Sequence, residues 1–181
     1  MPSRSKPEPG RRTGGEGGAA GERPERPKPD AYQKALELLV RREHSRRDLK
    51  RKLGLRGADP AEAEAAIEKL AGLGYQDDLR FATSFARDRA HSGYGPVRIR
   101  QELAGHGLPA DTVSQALEAC ETDWPASARA LVDKRFRPDG LADPAKRRKA
   151  LEFLLRRGFD QASAYGAVRG RAGDADDVDG P

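Results

Sequence analysis

Apolar side chains recur along this chain in bursts spaced three or four residues apart, the periodicity of short amphipathic helices. Asp30 is placed to cap a first helix, with Gln33 three residues on, and Ala35, Leu36, Leu39 and Val40 follow on one side. Ser45 followed by Asp48 resembles a capping box and opens a second helix carrying Leu49 and Leu53. Gly57 ends it, since glycine takes the left-handed C-cap conformation without a side-chain penalty. Asp59-Pro60 restarts the chain, with Asp at the cap and Pro at the first helical position, and a third helix carries Ala63, Ile67 and Leu70. No segment shows sustained alternation of β-branched and aromatic residues. The predicted class is all-α.

The pattern then repeats. Leu53 and Gly57, Leu103 and Gly107, and Leu154 and Gly158 share a spacing of four, and the glycines lie 50 and 51 residues apart. Eight residues before each glycine stand Leu49, Ile99 and Ala150; six after stand Ala63, Val113 and Ala164; ten after stand Ile67, Leu117 and Val168. A constant period across so many apolar positions marks internal repeats. The first helix of the second unit starts at Asp77 or Asp78 and carries Phe81, Ala82, Phe85 and Ala86. That of the third follows Asp123-Trp124-Pro125 and carries Ala128, Leu131, Val132 and Phe136. Residues 30–75, 76–121 and 122–169 are thus read as three tandem three-helix repeats. A unit of this size has little core of its own, so neighbours are expected to pack end to end into an elongated rod or crescent.

Composition fits that picture and adds a sign. The 181 residues are 35% charged, 36% hydrophobic and only 6% aromatic, a thin supply for one deep core but enough for helices that each bury a stripe. The net charge of +5 points to an acidic partner, either nucleic acid or an acidic protein surface. Residues 1–29, rich in Gly, Pro, Arg and Glu, read as a disordered basic tail, and 170–181 as an acidic one. Their charges cancel, so the repeats retain the whole excess. A single cysteine, Cys120, excludes an intramolecular disulfide and a thiolate zinc cluster. The first residues carry no apolar core of the kind a secretory leader needs and no apolar run reaches membrane-spanning length, so a cytoplasmic, monomeric protein is expected.

No catalytic, cofactor or metal site is predicted. His44, His91 and His106 lack metal-ligand spacing. Glu43-His44-Ser45 are consecutive at a helix junction, whereas a catalytic triad converges from separate elements, and Ser45 is explained as an N-cap. Gly93-Tyr94-Gly95 lacks the lysine and preceding strand of a phosphate loop and reads as a junction, with Pro96 opening the next helix. Asp77-Asp78 sit at a helix start, where the macrodipole favours carboxylates.

The cations carry more information. Arg46, Arg47, Lys50, Arg51 and Lys52 surround Leu49 and Leu53 in the second helix of the first unit. Arg98 and Arg100 stand at the matching stage of the second unit, Lys146, Arg147, Arg148 and Lys149 in the third, and Arg156 and Arg157 close that last helix. Side by side, these are expected to form a basic stripe. The candidate binding surface comprises Arg46, Arg47, Lys50, Arg51, Arg98, Arg100, Lys146, Arg148, Lys149, Arg156 and Arg157.

The same residues carry a resemblance. Arg42-Glu43-His44-Ser45 with Leu49 and Lys52-Leu53 is similar to the opening motif of the RecX family. Asp77-Asp78, Arg80-Phe81-Ala82, Phe85, Gly93-Tyr94-Gly95-Pro96, Arg98-Ile99 and Glu102-Leu103 resemble its central signature, and Phe153-Leu154 with Arg156-Arg157-Gly158-Phe159 its C-terminal one. The likeness runs through residues 31–169. It implies a non-enzymatic negative regulator of the RecA recombinase that lies in the groove of a RecA–DNA filament. There it would restrain ATP hydrolysis, strand exchange and filament growth, with a place in DNA repair, DNA recombination and the SOS response. The second reading is a nonspecific single-stranded nucleic-acid-binding protein, because each trihelical unit is also similar to a helix-turn-helix. The third helices, Ala61-Glu62-Ala63-Glu64-Ala65-Ala66 and Ala110-Asp111-Thr112, are acidic or bland, which disfavours sequence-specific entry into a DNA groove.

Overall fold

The computed structural model describes residues 30–137 and 141–172, of which Arg171 and Ala172 are described by backbone alone. Among these residues the chain forms nine α-helices and no strand. The first unit holds α1 (Ala31–Arg41), α2 (Arg46–Leu55) and α3 (Pro60–Gly72). The second holds α4 (Asp78–His91), α5 (Pro96–Gly105) and α6 (Ala110–Glu118), and the third α7 (Trp124–Arg135), α8 (Pro144–Arg157) and α9 (Gln161–Ala172). The tail expected over 1–29, and residues 173–181 of the acidic tail, lie outside the described residues.

Local chemistry explains the boundaries. Asp30, Ser45, Asp59, Asp77, Asp123 and Asp143 each accept a hydrogen bond from a first-turn N–H of the helix they precede, satisfying donors that have no intrahelical partner. Pro60, Pro96, Pro125 and Pro144 stand in the first two helical positions, where a missing N–H costs nothing. At the matching turn of each unit Gly57, Gly107 and Gly158 have φ of +76°, +78° and +84°, a backbone that a Cβ would strain.

Each unit has its own core. In all three the first helix packs principally on the third, and the second closes the same cluster. The repeat anchors are all inside: Leu49, Ile99 and Ala150 are fully buried, as are Leu53, Leu103 and Leu154. Ala63, Val113, Ala164, Ile67, Leu117 and Val168 join them. One expected face is corrected by the structure. In α1 the buried positions are Ala31, Ala35 and Leu38; Leu36 and Leu39 are half-buried and Val40 is 78% exposed. The interface centres on the Ala35–Leu38 ridge that meets α3, and Val40 falls beyond it.

Candidate interaction surface

The units meet in series, and each junction uses the N-terminus of a second helix. At the first junction the backbone N–H of Arg46 donates to the Asp78 carboxylate of the next unit at 3.0 Å. Gln76, buried between the units, donates to the same Asp78 oxygen at 2.8 Å and to the His44 carbonyl at 3.4 Å. Arg80 reaches back to Glu43 at 2.5 Å, an ion pair that raises the guanidinium pKa through its hydrogen bond. Ser45 Oγ lies 3.4 Å from His106 Nδ1, whose ring stacks edge-on against Phe81 and Phe85. Ser45 is completely buried and its oxygen accepts from Asp48 N–H, so this pair is a packing contact with no access for a substrate.

Behind this junction lies a polar cluster on α2. Asp48 contacts His44 Nδ1 at 2.8 Å, Arg51 at 2.8 Å and Lys52 at 2.9 Å. Burial pushes the Asp48 carboxyl upward, but hydrogen bonds from Lys52, Arg51 and His44 outweigh it and hold the group well below the usual carboxylate range. His44 is 2% exposed; burial lowers its pKa from 6.5 and outweighs the opposing hydrogen bond that the ring donates to Asp48, and this balance favours the neutral imidazole.

The second junction is made of backbone. Gly95 N–H donates to the Arg157 carbonyl at 2.9 Å and Val97 N–H to the Gly158 carbonyl at 3.0 Å, so the end of α8 caps the start of α5. The approach is so close that a Cβ on Gly95 would lie 2.3 Å from the Gly158 oxygen. Arg157 adds a bond to the Ser92 carbonyl at 3.1 Å, and Trp124 packs against the cores of both units.

The structure distributes the expected cations unevenly. In the first unit Arg46 pairs with Glu68, Lys50 with Glu64 at 2.6 Å and Arg51 with Asp48, so α3 and α2 neutralise much of that helix. Arg47 lies over Gly107 of the second unit. Arg98 pairs with Glu102 at 3.0 Å, and Arg156 lies 3.9 Å from Glu152. Arg100, Lys146, Arg148 and Lys149 are exposed. The third helix of the third unit, from Gln161 to Ala172, contains no carboxylate, so nothing on α9 answers Glu64 and Glu68 of α3.

Sequence reasoning missed Arg89 and Arg135, which join the expected Arg98 and Arg157 in a second grouping. Arg135 lies 5.0 Å from the centroid of Phe153, and Arg157 lies 5.4 Å from it. Arg157 is also 5.0 Å from the centroid of Tyr94, and Arg98 and Arg89 lie 4.5 Å and 5.4 Å from that same centroid. Arg89 continues to Phe85 at 5.0 Å and pairs with Glu102 at 2.7 Å. Guanidiniums and rings therefore alternate from α7 through α8 and α5 to α4, across the second junction. Arg135 has no marker of its own in the sequence, because Phe153 lies on another helix; Arg89 stands close in sequence to Phe85 and Tyr94, but the Arg98 and Arg157 groups that share Tyr94 with it come from α5 and α8. Among the described residues no group of three or more His, Cys, Asp or Glu side chains is arranged to hold a metal ion, and no helix is long and apolar enough to cross a membrane.

Comparison with known proteins gives a consistent result. Residues 31–70, 77–117 and 121–167 match the family models of the first, second and third three-helix domains of RecX. The chain is 56% identical over 137 residues to the regulatory protein RecX of Xanthomonas campestris pv. campestris (strain B100), covering 76% of this chain and 85% of that protein. It is 50% identical over 137 residues to that of Stenotrophomonas maltophilia (strain R551-3), covering 76% and 84%. A crystal structure of a regulatory protein RecX superposes with a TM-score of 0.62 at 26% identity, covering 77% of this chain and 70% of that one. RecX from Lactobacillus salivarius shares the fold, with a TM-score of 0.66 at 20% identity over 78% of this chain and 94% of that one.

Proposed function

Since the chain belongs to the RecX family of regulatory proteins, we propose that it is a non-enzymatic negative regulator of the RecA–DNA filament, acting in the cytoplasm as a monomer. It binds in the filament groove and restrains ATP hydrolysis, strand exchange and filament growth. The observation that carries this reading is the serial architecture. Three separately cored units, joined by specific contacts, present a surface too extended for a small ligand and suited to several subunits of a polymer at once. Contacts made by successive units reinforce one another, because binding through one raises the effective concentration of the next. Regulation then needs no chemistry. A protein that binds one filament state more tightly than another shifts the population toward it.

The basic side chains give this surface its sign. Exposed Arg100, Lys146, Arg148 and Lys149 face solvent on two of the units and suit either acidic protein or phosphates within the filament. The alternative, a nonspecific binder of naked single-stranded nucleic acid, draws support from the arginines stacked on Tyr94 and Phe153. The two are separated by comparing affinity for a labelled oligonucleotide with affinity for the same oligonucleotide coated with RecA. Tighter binding to the coated strand supports the filament reading; equal or weaker binding supports the alternative.

A further inference from the structure

We propose that the row of guanidiniums and rings running from Arg135 to Phe85 is a track for the phosphodiester backbone of single-stranded nucleic acid. The proposal rests on the filament reading for its setting, since a filament groove brings such a strand within reach, but its chemistry stands on this row alone.

Stacking on an aromatic face fixes the plane of a guanidinium and leaves its N–H edge pointing away from the ring. That edge is a fork of donors matched to two oxygens of one phosphate. Tyr94 gathers three such groups, Arg89, Arg98 and Arg157, and a single carboxylate, Glu102, forms ion pairs with two of them. Positive charge is therefore left in excess at the ring. Phe153 carries the pattern on to Arg135 on α7, and Phe85 carries it back along α4. Arg98 and Arg135 are exposed, and Arg89 and Arg157 are half-buried, so the row is reached from solvent at Arg98 and Arg135.

Recurrence decides the class of ligand. One isolated anion needs one fork, whereas forks repeated on successive rings suit a polymer with an anion at every unit. The backbone bonds from Gly95 and Val97 to the end of α8 hold the two halves of the row in fixed register. Arginines already lie against the faces of Tyr94 and Phe153, so bases have little ring to stack on and recognition falls to the phosphates. Binding is then independent of sequence and strongly dependent on salt.

Two variants of the full chain test this, with fluorescence anisotropy of a labelled oligothymidylate as the readout and circular dichroism as the control for folding. Arg135→Ala removes one fork from the exposed face of α7, outside the second junction. It is expected to weaken binding about 3–10-fold and to lower the slope of log affinity against log salt by about 0.7, the share of one phosphate contact. Glu102→Gln removes the carboxylate that competes with phosphate and is expected to tighten binding about 3-fold. A gain of this kind does not arise if the row is only internal packing. Unchanged affinity in both folded variants overturns the proposal. Equal competition by polyglutamate at matched charge also overturns it, in favour of an acidic protein surface. Measuring the same proteins on RecA-coated strands separates the two readings. Failure of the unmutated chain to bind coated strands, with the oligonucleotide effects intact, removes the proposed function and leaves the track; filament binding by the unmutated chain with unchanged oligonucleotide affinity in both variants removes only the track.

Discussion

Gly95 and Gly158 touch backbone to backbone, with the Gly95 N–H bonded to the carbonyl just before Gly158 and no room for a side chain on either residue. A Cβ on Gly158 would lie 2.3 Å from that of Arg98, and the φ of +84° there is itself unfavourable to any other residue. The second junction thus depends on two glycines about sixty residues apart in the sequence.

Gly95→Ala is expected to cost about 2–4 kcal/mol, since the helices must separate and the bonds from Gly95 and Val97 stretch. Gly57→Ala, at the turn of the first unit that matches Gly158, meets no atom within 4 Å and pays only for its φ of +76°, about 1–2 kcal/mol. Chemical denaturation of the two variants checks the order. A Gly95 variant as stable as the parent would show that the units do not make this contact in solution.

Acid is expected to loosen the first unit in two steps. His44 has a folded pKa below its ordinary 6.5, so the unfolded chain binds the extra proton and stability is lost as pH falls below 6.5 toward the folded value. Asp48 is also depressed, from 3.8, so its contribution is present above 3.8 and lost as pH falls further toward its folded value. Melting temperature measured against pH should show the first decline, and His44→Gln should flatten it. A parent profile flat below pH 6.5 would contradict the burial of a neutral imidazole.

Charge on α8 and α2 should differ in effect. Reversing Lys146, Arg148 and Lys149 together is expected to weaken binding to RecA-coated strands about 10-fold or more, with greater loss at low salt. Reversing Arg46, Lys50 and Arg51 should weaken it less, because Glu68, Glu64 and Asp48 already neutralise them, and should lower stability more. Filament co-sedimentation and thermal melting give the two readouts. Equal loss of binding from both sets would place the contact surface on α2 as well.

The register of α1 is open to a direct check. Val40 is 78% exposed, so Val40→Ser should change stability by no more than about 0.5 kcal/mol. Leu53 is fully buried in the same unit, and Leu53→Ala should cost about 2–5 kcal/mol. Comparable costs at the two positions would restore the face expected from the sequence.

These cases show what a sequence exposes. Helix starts at Asp30, Ser45, Asp59 and Asp123, the left-handed glycines and the repeated anchors are local chemistry or a fixed period, and the structure agrees with them. Val40 is misplaced by the sequence because Leu36, Leu38, Leu39 and Val40 crowd α1 so closely that they fit two overlapping faces, and only packing against α3 chooses between them. Gly93-Tyr94-Gly95 was legible as a junction, but its partner Gly158 was not, because nothing local says which turn it meets. The same limit hid Arg89 and Arg135. A guanidinium acquires its role from what gathers around it: Phe153 reaches Arg135 from another helix, and although Phe85 stands one turn before Arg89 on α4 itself, the Arg98 and Arg157 groups that share Tyr94 with Arg89 come from α5 and α8. The cations of α2 were visible, while the glutamates of α3 that pair with them become neighbours only once the helices pack.

The central claim is regulation of a recombinase filament, and RecA-catalysed ATP hydrolysis on single-stranded DNA, followed as this protein is titrated in, tests it most directly. A saturable fall in hydrolysis at low micromolar protein is expected, with a parallel loss of strand exchange and a weaker effect from the Lys146, Arg148 and Lys149 reversal. Unchanged hydrolysis, with salt-sensitive binding to the naked strand alone, would contradict it.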